Sequence, residues 1–234
     1  MPFASPFPAP LTGVVRPLCT PLTESGQVDV RSPAALVEHL VDAGVDGLFV
    51  LGSTGEAACL SDIQRRTVIE TVVDAASGRL PVLAGAIDMA TARSGDEGAL
   101  RRLLVRLPAA GRDFSVLTGS ELSVDGALLA GADGVVPGLG NIDPAGYVRL
   151  YAHARAGRWQ AAAAGQDRLA ALFPLTDVGD ETAMGRSSSA LGAFKAALHL
   201  LGIIDCPATA APQLPLDAAA HRTVRRLLEE AGLL

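Results

Sequence analysis

The residues best suited to chemistry in this sequence form a glycine-bounded run, Gly52-Ser53-Thr54-Gly55-Glu56, directly after the apolar segment Gly47-Leu48-Phe49-Val50-Leu51. Turns of this kind at strand ends bind small anions, because their backbone N–H groups lack intramolecular partners. No Gly-Lys-Ser/Thr follows, so the run is not a nucleotide-phosphate loop, and Gly138-Leu139-Gly140 lacks the third glycine of a dinucleotide fingerprint. A Gly-x-Ser-x-Gly nucleophile elbow is absent. The histidines, His39, His153, His199 and His221, fall on helical segments without ligand spacing and read as surface or packing residues. Nucleophilic amines are scarce: the chain has one lysine, Lys195, beside the apolar stripe of a helix, which reads as a solvated side chain snorkelling along it. Tyr147 and Tyr151, one helical turn apart, read as packing residues.

The elements that must position the glycine turn follow an α/β rhythm. Expected strands are Gly13 to Leu22, Gly47 to Leu51, Pro81 to Ile87, Phe114 to Thr118 and Gly134 to Pro137. Between them run amphipathic helices. The first has Ser32 as N-cap and ends at Gly44; capping boxes Ser61/Gln64 and Ser94/Glu97 open two more; another reaches Ala130. Asp143-Pro144 opens the next, and the remainder reads as helices alone: roughly Arg158 to Phe173, Ser188 to Leu201 and Asp217 to Ala231. This gives a frayed leader over 1–12, five βα units over 13–157 and a helical region over 158–234.

Composition limits the partners. Twenty-five acidic residues against 19 basic give a net charge of -6, and aromatics make up 4%, which argues against nucleic acid. No stretch approaches the ~20 apolar residues of a membrane span, and the proline-rich start lacks the features of a signal peptide. Cys19, Cys59 and Cys206 are too widely spaced for a disulfide framework or a zinc site. They read as small buried apolar residues of a cytoplasmic protein. No cofactor or metal is expected.

Together, Gly13-Val14-Val15 leading to Thr20-Pro21, Gly-Ser-Thr-Gly-Glu-Ala after a buried strand, and Pro81-Val82-Leu83-Ala84-Gly85 resemble the dihydrodipicolinate synthase / N-acetylneuraminate lyase family. Ser94-Gly95-Asp96 looks like the tail of that family's Lys-Asp-Ser-Ser-Gly-Asp run. Val116 to Glu121 looks like its seventh strand end, and Gly131 to Gly138 like its eighth. Ala190 to Gly202 and Pro212 to Leu216 are similar to its C-terminal helical appendage. The resemblance covers nearly the whole chain. It implies a (β/α)8 barrel that makes or breaks carbon–carbon bonds of pyruvate-like 2-oxo acids through a lysine Schiff base. It also implies that Ser53 and Thr54, with Gly52, hold the substrate carboxylate, while Thr20, Gly119, Pro137 and Gly138 line the same pocket.

The resemblance exposes a gap. Thr91-Ala92-Arg93 matches the segment after the third strand, whereas Ser94 belongs after the sixth, so three units of roughly 90 residues have no counterpart. By resemblance they held the Schiff-base lysine and the proton-relaying tyrosine. Thr91 stands where an unbroken signature would place the lysine, and neither Lys195, Tyr147 nor Tyr151 matches a catalytic position. The fold expected is therefore α/β, a truncated TIM-barrel derivative: a distorted five-stranded parallel sheet with exposed edges, prone to oligomerise or aggregate. Three functions stay open: a family member without turnover, residual 2-oxo acid lyase activity through Lys195 or a partner chain, and a non-catalytic carboxylate-binding or assembly module.

Overall fold

The computed structural model describes residues 11–85, 100–101, 104–105 and 115–234. Five strands, β1 (Gly13–Pro17), β2 (Gly47–Val50), β3 (Val82–Ala84), β4 (Leu117–Thr118) and β5 (Gly134–Val135), form one sheet in the order β3-β2-β1-β5-β4. Every pairing is parallel. β1 is central, with Val15 opposite Gly47 on one side and Gly13 opposite Gly134 on the other. All five residues of β1 are buried, as a parallel strand covered on both faces requires.

Helices α1 (Ser32–Asp42), α2 (Asp62–Ala76), α3 (Val124–Leu129) and α4 (Pro144–Arg155) pack around the sheet. They are followed by α5 (Trp159–Leu172), α6 (Arg186–Leu200) and α7 (Ala218–Glu230). Leu100, Arg101, Leu104 and Val105 are also helical. One apolar cluster runs from Val14 through Leu48, Leu139 and Leu169 to Leu228, so the helical region shares the core of the sheet. Among the described residues no helix is long and apolar enough to cross a membrane.

Several expected boundaries are corrected. The first strand stops at Pro17, and Leu22 makes only an isolated antiparallel bridge to Val28. β4 and β5 keep two residues each, because their short ladder pairs only Leu117 with Gly134 and Thr118 with Val135. Ser32 is not the cap of α1 but its first residue; Arg31 occupies the cap position without a side-chain bond. Asp29 does the capping, accepting the N–H groups of Arg31 and Ser32 and the Ser32 hydroxyl. Although burial pushes the Asp29 carboxyl up, these hydrogen bonds hold it below its ordinary value. The Ser61/Gln64 capping box is present, and Asp143 caps α4 through the Gly146 N–H at 2.8 Å. The leader to Pro10, Ile87, Thr91, the Ser94/Glu97 box and Phe114 lie outside the described residues.

Candidate functional site

Parallel strands place their carboxyl ends, and the loops that follow, at one end of the sheet. The glycine turn follows β2 there. Its backbone folds into a tight helical turn, with Gly55 N–H donating to Gly52 O and Glu56 N–H to Ser53 O, which leaves the N–H groups of Ser53 and Thr54 without backbone acceptors. Ser53 is exposed and Thr54 half-buried, and neither hydroxyl has a partner among the described residues. Gly55 is tightly enclosed: a Cβ would sit 3.1 Å from the Leu18 carbonyl oxygen and 3.2 Å from the Leu51 nitrogen, so a side chain there would press on backbone.

The other expected pocket residues are placed as follows. Thr20 is buried, and its hydroxyl donates to Gly55 O at 2.8 Å, so it braces the turn. Gly119 is exposed at the end of β4. Pro137 and Gly138 are buried, and the Gly138 N–H is already committed to the Glu121 carboxylate at 3.0 Å, with Leu139 N–H adding a second bond at 2.8 Å. Burial raises the Glu121 carboxyl above its ordinary value, against the pull of these two N–H groups. Gly52 is buried beneath the turn, with Phe49 filling the place of a side chain.

Lys195 departs furthest from expectation. It is not solvated: its side chain is fully buried, ion-paired with Glu56 of the glycine turn and donating to Ala208 O at 2.8 Å. The reason is the surroundings of α6, which is buried almost all round from Leu191 to Leu198. Phe194 lies against Gly138 on one side, and Lys195 reaches the turn after β2 on the other. Glu56 also accepts the Ala210 N–H at 2.7 Å, tying the segment after α6 to the turn. Burial pushes the neighbouring Cys19 thiol up to about 12, with Lys195 opposing, so this cysteine is an inert packing residue as expected. Cys59 and Cys206 are only partly buried.

Four further residues lie about β1 and β5. Arg16 is buried between β1 and α4, donating to Pro144 O at 3.0 Å and stacking on Tyr147 at 4.8 Å from the ring centre. Desolvation lowers its guanidinium to about 10. Tyr147 is fully buried against Arg16, and this burial raises its hydroxyl well above its ordinary value. Tyr151 donates to Asp133 O. Asn141 is fully buried, donating to Pro17 O and Gly138 O and accepting the Cys19 N–H. The only sequence signals for these roles were polar letters inside apolar runs, Arg16 within Val-Val-Arg-Pro and Asn141 after Gly-Leu-Gly.

His39 Nε2 lies 3.2 Å from Asn141 O, and because a carbonyl can only accept, Nε2 carries the proton. Burial lowers the His39 imidazole below its ordinary value. The folded state therefore prefers neutral His39, and the stability this contributes is present above about pH 6.5 and lost as pH falls through the lowered value. Thermal melts of the parent are expected to drop between pH 7 and 5 by more than those of His39→Gln; equal slopes would show that His39 does not couple.

Comparison with known proteins bears on this site. The model of the dihydrodipicolinate synthetase family matches residues 10–94 and 95–231, two pieces that meet near the sequence gap. A 4-hydroxy-tetrahydrodipicolinate synthase of Kineococcus radiotolerans is 40% identical over 109 residues, 44% of this chain and 34% of the relative, so this match spans about a third of that protein's length. That of Xanthomonas axonopodis pv. citri is 28% identical over 297 residues, covering 94% of this chain and 95% of the relative. The solved structure of YagE from Escherichia coli K12, in complex with pyruvate, superposes with a TM-score of 0.82 at 23% identity, over 97% of this chain and all of that one. Among the described residues the parallel strand order β3-β2-β1-β5-β4 is consistent with part of a TIM barrel, and with the family model spanning nearly the whole sequence, the chain belongs to the dihydrodipicolinate synthetase family.

Proposed function

We propose that this chain retains the carboxylate-docking half of a 2-oxo acid lyase site and does not turn substrate over through a lysine Schiff base. The observation that carries the reading is the position of the single lysine. Imine formation needs an amine lone pair exposed to a carbonyl. The Lys195 nitrogen is fully buried and directs its protons at the Glu56 carboxylate and the Ala208 carbonyl. Docking itself needs no amine. The hydroxyls and N–H groups of Ser53 and Thr54 can hold a carboxylate such as that of pyruvate, the ligand in the YagE structure, with the braced Gly52–Glu56 backbone keeping them in place.

Incubation with pyruvate and borohydride, followed by intact-mass analysis, tests this. The expected spectrum shows the unmodified mass alone. A stoichiometric adduct mapped to Lys195 overturns the reading in favour of residual lyase activity.

Self-association is the accompanying expectation. Among the described residues β3 and β4 are the sheet edges, and the edge strand β3 is only partly covered. Sedimentation velocity should show species larger than a monomer that grow with concentration. A single monomeric boundary at all concentrations counts against edge pairing.

A further inference from the structure

The docking turn carries its own electrostatic obstacle. Two residues after Thr54 stands an acid, Glu56, in a segment that would receive an anionic ligand. Glu56 cannot move independently of the donors: its backbone is held at φ 55°, and its N–H closes the turn on Ser53 O. Left alone, its charge would lie beside the carboxylate binding position and oppose it.

We propose that Lys195 is the built-in counter-charge of the docking turn, neutralising Glu56 from inside the protein so that the Ser53–Thr54 donors can take a small carboxylate. This rests on the docking reading above. Three observations support it. Lys195 and Glu56 are each without side-chain exposure, so neither solvent nor salt screens their charges, and the pair must be balanced internally. The buried Glu56 carboxylate is held by two fixed partners, the Lys195 ammonium and the Ala210 N–H, so the lysine is its counter-ion. The next cation along the chain, Arg65 in α2, does not substitute: its Nε donates to Ala57 O, its Nη1 pairs with Asp62, and the side chain is 41% exposed. The same lysine that is unsuited to imine formation thus sets the charge of the site, and it ties that charge to the helical region, because α6 and the Ala208–Ala210 segment supply the contacts.

The test is a titration of the full chain followed by the amide resonances of Ser53 and Thr54, with pyruvate as probe and pyruvamide as its neutral counterpart, at 10 °C where folding is verified by circular dichroism. Lys195→Met should weaken pyruvate binding about tenfold, in the range of ordinary coupling between sites, and leave pyruvamide unchanged. Glu56→Gln, which keeps the cation and removes the acid, should instead tighten pyruvate. A purely structural latch would weaken both probes in both variants, and that result overturns the proposal. If Lys195→Met does not fold, Glu56→Gln decides alone, since tightening supports the counter-charge and weakening or no change refutes it. A parent protein with no response to either probe overturns the docking reading itself, a failure distinct from one confined to the variants.

Discussion

Lys195→Met is expected to lower stability by about 3–5 kcal/mol, which for a chain of this size is a fall of roughly 10 °C in the thermal midpoint. The cost arises from what remains. Methionine fills the lysine volume well, but Glu56 stays buried with its carboxylate facing the vacated position and only the Ala210 N–H as partner. A buried charge without its counter-ion pays most of its desolvation penalty uncompensated. Ala208 O loses its donor as well. The double variant Glu56→Gln/Lys195→Met removes both charges and should recover at least half of the loss, because a neutral amide can still accept from Ala210 N–H. Melts at pH 7 of the parent, both single variants and the double variant form a closed thermodynamic cycle. Should Lys195→Met melt within about 2 °C of the parent, the pair does not hold the helical region to the turn.

That pair also marks the boundary of what could be read from the sequence. The strand rhythm, the Ser61/Gln64 and Asp143 caps and the glycine turn are local: each depends on residues within a few positions, and each is found in the structure. The parallel order around β1 was accessible through the family resemblance, because the segments before and after the gap carry recognisable strand ends. Lys195 was not. A lone lysine beside an apolar stripe is ordinarily solvated, and the feature that buries it is that α6 is enclosed on nearly all sides, a property set by tertiary neighbours and invisible in its own periodicity. Arg16 was missed for the same reason: its acceptors, Pro137 O and Pro144 O, lie 121 and 128 residues away. Local patterns specify elements, whereas the charge balance of the site is written in contacts between distant segments.

Gly134→Ala is expected to be the most damaging single methyl addition in the sheet. Gly134 faces Gly13 across the β1–β5 seam, and a Cβ there would sit 2.2 Å from the Gly13 carbonyl oxygen and 2.8 Å from its nitrogen. Both obstacles are backbone, so no side-chain rotation relieves them. Gly13 has φ of 100°, a conformation open to glycine, and its own missing side chain makes room for the Asp46 carboxylate that accepts the Val14 N–H at 2.8 Å. The seam therefore approaches closely from both sides, and separating it strips β1 of one of its two neighbours and disconnects β4 and β5 from β1–β3. A loss of roughly 3 kcal/mol or more follows, seen as insolubility or a midpoint lowered by about 10 °C. Gly126→Ala is the matched control: the position is exposed in α3 with nothing within 4 Å of the added atom, so it should raise stability by about 0.5–1 kcal/mol. Equal effects at the two positions would mean that the β1–β5 seam is not as close as described, and that the two halves of the sheet are joined chiefly by the helices that cover it.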